Sequence, residues 1–211
     1  MTQFEVLKKS VLDGDIPGAV ALTQQALADG LKPEEIIYNA FVPAMDIVGE
    51  EYANGIKFIP EMLLSAKTMK EAMAVLAPLL KEGSISYKGR VVVGTVKGDL
   101  HDIGKNLVIL MLEGAGFKVF DLGVDVPAER FVSEVKEKGA DLLGLSALLS
   151  TTMVEMKTVI EALKEAGLSE KVKTMIGGAP ITEAYAEQIG ADAYAADAAA
   201  GVKIAAGLMG S

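Results

Sequence analysis

The chain has no cysteine and only one histidine. Without thiols it can form neither a disulfide framework nor a thiolate metal site. Aromatic side chains are scarce, at 5% of residues, whereas apolar residues reach 51% and include ten methionines. That balance argues against an aromatic-rich β-sandwich and for an aliphatic and thioether core in helices and α/β layers. A basic face is also missing. Residues 1–88 carry 8 basic and 12 acidic side chains, residues 89–211 carry 12 and 17, and the formal charge is −9. Nucleic acid and anionic membrane are therefore poor partners. No stretch approaches the roughly 18 consecutive apolar residues that a membrane helix needs. The first ten residues alternate apolar and charged side chains and lack the apolar block of a signal peptide. A cytoplasmic location is the expectation.

What is present falls into two halves with different periodicity. Residues 3 to about 82 carry helical spacing throughout. Phe4, Leu7, Val11 and Leu12 share one face, and Asp13-Gly14-Asp15 ends that helix and caps the next. Pro17 suits the first turn of a second helix that stops at Gly30. A third opens at Pro33-Glu34-Glu35 and ends at Asn54-Gly55, with a kink expected at Pro43. A fourth starts near Pro60 and spaces Met62, Ala66, Met69, Met73, Leu76 and Leu80 by three and four. Four helices with short connections make a small bundle. Residues 81–89 (KEGSISYKG) are polar and glycine-punctuated, as a linker is.

From residue 89 the pattern alternates strand and helix. Strands are expected over 90–96, 118–123, 141–146, 173–177 and 191–195. Helices start near Ile103, Ala128, Thr151, Ile181 and Ala198. Five β-α units imply a parallel, doubly wound, flavodoxin-like (Rossmann-like) sheet with strand order 2-1-3-4-5. The expected architecture is thus a helical cap domain over residues 1–88 and an α/β domain over residues 89–211. Ligands of such sheets bind beyond the carboxyl ends of the strands. Attention falls on the loops at 97–102, 123–127, 146–152, 177–180 and 195–198.

The first of these loops holds the single histidine in Lys97-Gly98-Asp99-Leu100-His101-Asp102-Ile103-Gly104-Lys105-Asn106. Neutral imidazole is a good transition-metal ligand. A carboxylate on its other nitrogen, for which Asp99 is placed, fixes the tautomer and increases basicity. Gly98 and Gly104 let backbone approach a bulky ligand. The same spacing also suits a surface or capping histidine, with Asp99 or Asp102 as an N-cap. One histidine cannot make an all-protein zinc site. Spacing alone favours the structural reading.

Three separated motifs carry a resemblance that reverses this preference. Asp99-x-His101-x-x-Gly104, then Ser146-Ala147-Leu148, then Gly177-Gly178 resemble the signature of B12-binding domains. Residues 96–106 and Asp121-Leu122-Gly123-Val124-Asp125-Val126-Pro127 are similar to the cobalamin-binding module of methionine synthase. The resemblance spans nearly the whole chain. It implies cobalamin or a related corrinoid bound base-off and His-on, with His101 as the lower axial ligand of cobalt. Gly98, Asp99, Leu100, Asp102, Ile103, Gly104 and Leu148 are then cofactor-binding, and Ser146, Gly177 and Gly178 line the slot for the displaced nucleotide tail. Asp99 begins a proton relay whose hydroxyl member matches Thr152, with Ser150 and Thr151 as neighbours able to substitute. Tyr52, Ile59 and Met62 match cap positions that touch the upper corrin face; the alternative places Ile59 and Met62 in the bundle core.

The function so implied is a methyl carrier, not catalytic alone, cycling between Co(I) and methyl-Co(III) within a multi-component methyltransferase. The donor systems it resembles use methanol, methylamines, betaine or methoxylated aromatics. Its partners would be a donor methyltransferase, an acceptor methyltransferase using tetrahydrofolate or a thiol, and a reductive activase. A B12-dependent sensor or regulatory module is the alternative, and such regulators usually add a DNA-binding head. A radical mutase subunit is disfavoured because mutase domains lack the cap. A phosphoacceptor receiver is disfavoured because the third strand ends in Leu145-Ser146 rather than aspartate.

Overall fold

The computed structural model describes residues 2–80 and 87–210. Most of the stretch read as a linker, residues 81–86, lies outside the described residues. The chain divides into two compact units, one taking residues 1–86 with 113–116 and the other 87–112 with 117–211.

The first unit is helical. α1 (Gln3–Leu12) and α2 (Ile16–Ala28) meet where the sequence puts its break. Asp13 closes α1, Gly14 adopts a left-handed φ of +72°, and the Asp15 carboxylate accepts from the Gly18 N–H at 3.0 Å. The third helix is continuous but not regular. α3 (Pro33–Ile36) passes through a π-helical turn (Ile37–Phe41) into α4 (Val42–Ala53). There the Val42 N–H donates to the Ile37 carbonyl, one residue further back than an α-helix would have it. Pro43 brings no N–H and its ring crowds the preceding turn, so the wider turn stands where a kink was expected.

α5 (Ile59–Leu76) packs on α2, α4 and α1, and a 3-10 turn (Ala77–Leu79) follows it. Its buried positions Met62, Ala66, Met69 and Leu76 follow the helical spacing. Lys57 Nζ and Ser65 Oγ both donate to the Leu12 carbonyl, at 2.9 and 3.3 Å, satisfying a C-terminal acceptor of α1.

The second unit is the parallel sheet. β1 (Arg90–Thr95), β2 (Lys118–Asp121), β3 (Leu142–Ser146), β4 (Lys173–Gly177) and β5 (Ala193–Ala195) take the order β2-β1-β3-β4-β5, as the alternation implied. β1 and β3 are buried almost throughout, the mark of strands covered on both faces. The intervening helices are α6 (Ile103–Gly114), α7 (Ala128–Lys138), α8 (Val154–Glu165) and α9 (Glu183–Ile189), with α10 (Ala198–Leu208) last. Phe131, Leu143, Met156, Leu163 and Ile176 fill one core with no more than 1% exposure each. Burial of each such side chain contributes about 1.5–3 kcal/mol.

Among the boundaries that differ from the sequence reading, three have a side-chain reason. β2 ends at Asp121 because its carboxylate turns to accept the Gly123 N–H at 2.9 Å. β5 begins at Ala193 because Asp192 bonds the Thr174 N–H and hydroxyl through its own carboxylate, at 2.8 and 2.9 Å. α8 begins at Val154 because residues 150–153 form a turn in which the Thr152 hydroxyl points to another loop.

Register places Thr95 beside Ser146, Ser146 beside Gly177, and Gly177 beside Ala195. The carboxyl edge of the sheet is therefore a row of small residues, and the loops that follow them carry the functional candidates.

Candidate functional site

The loop after β1 is folded tightly. The Asp99 N–H donates to the Val96 carbonyl at 3.1 Å, Gly98 adopts φ +79°, and the buried Thr95 hydroxyl donates to the His101 carbonyl at 2.9 Å. This turn buries Asp99 completely while leaving half of the His101 side chain exposed. His101 Nδ1 lies 2.8 Å from Asp99 Oδ1, and the His101 backbone N–H donates to the same oxygen at 3.0 Å. Asp99 Oδ2 accepts from the Thr152 hydroxyl at 2.6 Å and from the Leu148 N–H at 2.8 Å.

Burial by itself would push the Asp99 carboxyl up. The Thr152 hydroxyl, the Leu148 N–H and the His101 N–H and ring outweigh it and hold the group well below the usual carboxylate range. An ionised carboxylate only accepts, so the shared proton sits on Nδ1, and in a neutral imidazole Nε2 is the nitrogen that can take a metal. Asp99 is not the cap of α6. That role suits Asp102, whose carbonyl takes the Asn106 N–H at 2.7 Å and whose carboxylate takes the Asn106 side-chain amide at 3.0 Å.

Among the three hydroxyls proposed for the relay, Thr152 is the one that reaches Asp99. Ser150 and Thr151 are exposed. Leu148 and Leu149 serve through their backbone N–H groups, the latter at 3.4 Å, and both side chains stay exposed. With Leu100 (71% exposed), Ile103 (85%) and Val154, they leave apolar side chains uncovered beside the histidine, its carboxylate and its hydroxyl. Such exposure next to a poised imidazole suits a large, apolar-edged ligand.

Ser146 is half-buried at the sheet edge. Gly178 adopts φ +135°, and a Cβ there would fall 1.8 Å from the Ala147 carbonyl oxygen. Gly104 is different. It has an ordinary φ, and a Cβ would meet nothing within 4 Å, so neither packing nor backbone within the chain calls for glycine. Among the described residues no three His, Cys, Asp or Glu side chains gather to hold a metal. A lone imidazole fits a metal that arrives with its other ligands in a macrocycle.

In the helical unit, Tyr52 is half-buried on α4, and Ile59, the first residue of α5, is 43% exposed beside exposed Ile56 and Phe58. Met62 is only 2% exposed.

Comparison with known proteins shows the family. The B12 binding domain family matches residues 89–203, and a second B12 binding domain family matches residues 3–77. The chain belongs to the B12-binding domain family. A corrinoid protein of Desulfitobacterium hafniense is 39% identical over 213 residues, covering 100% of this chain and 99% of that protein. The trimethylamine corrinoid protein of Methanosarcina barkeri is 44% identical over 203 residues, or 94% of either chain. The crystal structure of the methanol:cobalamin methyltransferase complex from Methanosarcina barkeri superposes with a TM-score of 0.90 at 31% identity, covering 99% of this chain and 80% of that one. The cofactor of this B12-binding protein is a cobalamin-type corrinoid. No helix among the described residues is long and apolar enough to cross a membrane.

Sequence reasoning passed over four residues that build the site. Thr95 fixes the His101 carbonyl, and the Leu149 N–H contributes to the Asp99 cradle. Lys105, 3% exposed, directs Nζ to Asp121 and Asn106, both at 2.7 Å. Asp125 accepts the Gly98 N–H at 2.7 Å. A lysine amid the apolar positions of α6 was a readable signal; the other three bonds depend on tertiary register.

The Asp99 cradle makes a prediction in acid. An unfolded chain gives Asp99 its ordinary pKa near 3.9, and the folded value lies well below that. The group thus stabilises the fold fully above the unfolded value, and this contribution is lost as pH falls from about 4 towards the folded value. Urea unfolding between pH 3 and 6 should show a shallower loss of stability below pH 4 for Asp99→Asn than for wild type. Equal slopes would mean that Asp99 is not held ionised.

Proposed function

We propose that the chain is a methyl carrier: a corrinoid-bearing subunit that receives a methyl group from one methyltransferase and yields it to another. The observation carrying this reading is the chain of bonds from a half-exposed imidazole through a buried carboxylate to a hydroxyl. A bound corrinoid supplies a cobalt that accepts a methyl group and gives it up again. His101 Nε2 would hold that metal. Asp99 Oδ1 holds the proton at Nδ1, and the Thr152 hydroxyl secures Oδ2. Together they let the basicity of the ligand rise and fall without charge being buried unpaired.

Leu100, Ile103 and Leu148 would flank the ring edge. Ser146, Gly177 and Gly178 would line the slot for the nucleotide tail. Tyr52 and Ile59 are assigned to shielding the bound cofactor from water, whereas Met62 is buried in the helical unit.

The trimethylamine corrinoid relative and the methanol:cobalamin methyltransferase complex favour methylamines or methanol as the donor. The expected partners are a donor-specific methyltransferase, an acceptor methyltransferase delivering to tetrahydrofolate or a thiol, and a reductive activase. The decisive experiment loads the full chain with cobalamin, reduces it, and supplies isotope-labelled donors with their methyltransferases. Label should appear on the cofactor with one donor class. A protein that keeps its His-ligated spectrum yet takes label from no methylamine, methanol, betaine or methoxyarene system would overturn the carrier role.

A further inference from the structure

The segment after β2 does more than connect β2 to α7. Asp125 has φ +53° and is the one non-glycine residue at positive φ among those described. Aspartate tolerates this region better than most residues, yet the conformation costs on the order of 1 kcal/mol and persists only where its surroundings hold it. What holds it is a reciprocal pair of bonds to the histidine loop. The Asp125 carboxylate accepts the Gly98 N–H at 2.7 Å, and the Asp125 N–H donates to the Asp99 carbonyl at 3.0 Å. Gly98 is itself left-handed at φ +79°. Asp125 thus holds the Lys97–Gly98 peptide through its carboxylate and the Asp99–Leu100 peptide through its N–H, one on either side of the Gly98–Asp99 link.

The other end of the segment is tied as well. Asp121 Oδ1 accepts Lys105 Nζ at 2.7 Å and the Gly123 N–H at 2.9 Å. Residues 121–125 therefore grip the chain on both sides of His101, at Gly98 and Asp99 before it and at Lys105 after it.

We infer that Asp125 is a positioning residue for the lower ligand: by holding the Lys97–Gly98 and Asp99–Leu100 peptides it fixes the backbone around Asp99 so that the carboxylate presents Oδ1 to His101 Nδ1. This inference rests on the reading of His101 as the cobalt ligand. Asp125 acts through backbone, because its carboxylate bonds Gly98 rather than the imidazole. The tolerance is narrow: ligand geometry needs control to about 0.5 Å and 10–20°. A peptide freed at Gly98 can tilt, and the Asp99 carboxylate swings with it. The loops themselves stay joined without the side chain, since the Val126 N–H donates to the Thr95 carbonyl at 3.0 Å and Val96 bridges Val126. Loss of the carboxylate should thus disturb ligation and not the fold.

The test uses the full chain reconstituted with cobalamin, in Asp125→Ala, Asp125→Asn and Asp125→Gly forms. Two quantities are read at one fixed pH: the ratio of His-ligated to unligated cofactor from the visible spectrum, and amide exchange at Gly98 in the apo-protein. A charge-assisted hydrogen bond is worth about tenfold in an equilibrium, of which part reaches the histidine. Asp125→Ala should lower the ligated ratio by about three- to tenfold and speed Gly98 exchange by about tenfold. Asp125→Gly, which relaxes the backbone but lacks the acceptor, should behave alike. Asp125→Asn keeps an acceptor oxygen and tolerates positive φ, so it should restore most of the ratio.

A ratio unchanged in Asp125→Ala would overturn the inference. So would a ratio that falls only as far as in a core variant of equal melting temperature, such as Phe131→Leu. If His101→Ala and wild type share one spectrum, the ligation reading fails instead, and the positioning role falls with it. Gly98 exchange then reports on the clamp alone.

Discussion

His101→Ala should abolish the His-ligated spectrum of the reconstituted protein and weaken corrinoid binding by about two orders of magnitude or more, while leaving the apo-protein nearly as stable as before. Loss of a partner behind a metal ligand costs about 10- to 100-fold in affinity, and loss of the ligand itself should cost at least as much. No residue can take its place, because the chain has no second histidine and no cysteine. Asp99 cannot swing out, since it is fully buried and held by Thr152 and Leu148 on its other oxygen. The fold should barely register the change. The imidazole is half-exposed and makes one bond to a carboxylate that keeps three other close donors, His101 N–H included. The expected loss of stability is about 1 kcal/mol or less. A large effect on cofactor with a small one on melting is the behaviour of a ligand; a merely structural histidine would give the reverse. Cobalamin titration followed by visible spectroscopy, with calorimetric melting of the apo-protein, measures both. A variant with the wild-type spectrum would remove His101 from the metal.

The sheet was legible because parallel strands buried on both faces must be short continuous apolar runs, and RVVVGT and LLGLS are such runs between glycine-rich turns. Helix ends were legible where punctuation is local: Asp13-Gly14-Asp15 and Asn54-Gly55 act through their own backbone and side chains. The π-helical turn before Pro43 was not, because the sequence says that an α-helical bond is lost there but not how the chain absorbs the loss. The early end of β2 and the late start of β5 and α8 share one cause. In each, an Asp or Thr side chain takes a partner that strand or helix pattern does not encode. The site divides in the same way. Asp99 and His101 sit two residues apart and could be paired on paper, and the hydroxyl was narrowed to three neighbours. Only the register of β1 against β3 selects Thr152. Asp125 and Lys105 act across a loop pair, and nothing in a linear motif announces that a non-glycine residue will be left-handed.

Glycines at the site give the second large effect, and two of them should behave oppositely. Gly178→Ala places a Cβ 1.8 Å from the Ala147 carbonyl oxygen at φ +135°, a conformation closed to L-residues. The obstacle is backbone, so it cannot rotate away. Relief requires the loop after β4 to part from the loop after β3, where Ala147 donates its own N–H to the Gly177 carbonyl at 3.3 Å. Backbone strain of about 1–3 kcal/mol and overpacking of about 1–3 kcal/mol together cost roughly 4 kcal/mol, or roughly 10 °C of melting temperature. Corrinoid binding should fall as a consequence, because Leu148 and Leu149, whose N–H groups hold Asp99, follow directly on Ala147. Gly104→Ala meets nothing within 4 Å and lies in the first turn of α6 at an ordinary φ. It should keep or slightly raise stability, by a few tenths of a kcal/mol. Against a bound ring the added methyl is overpacking of about 1–3 kcal/mol, so cobalamin affinity should drop about tenfold or more. Melting and cobalamin titration of the two variants side by side decide the matter. If Gly104→Ala binds cobalamin as tightly as wild type, no ligand approaches α6 at that residue, and the site must lie elsewhere along the loop.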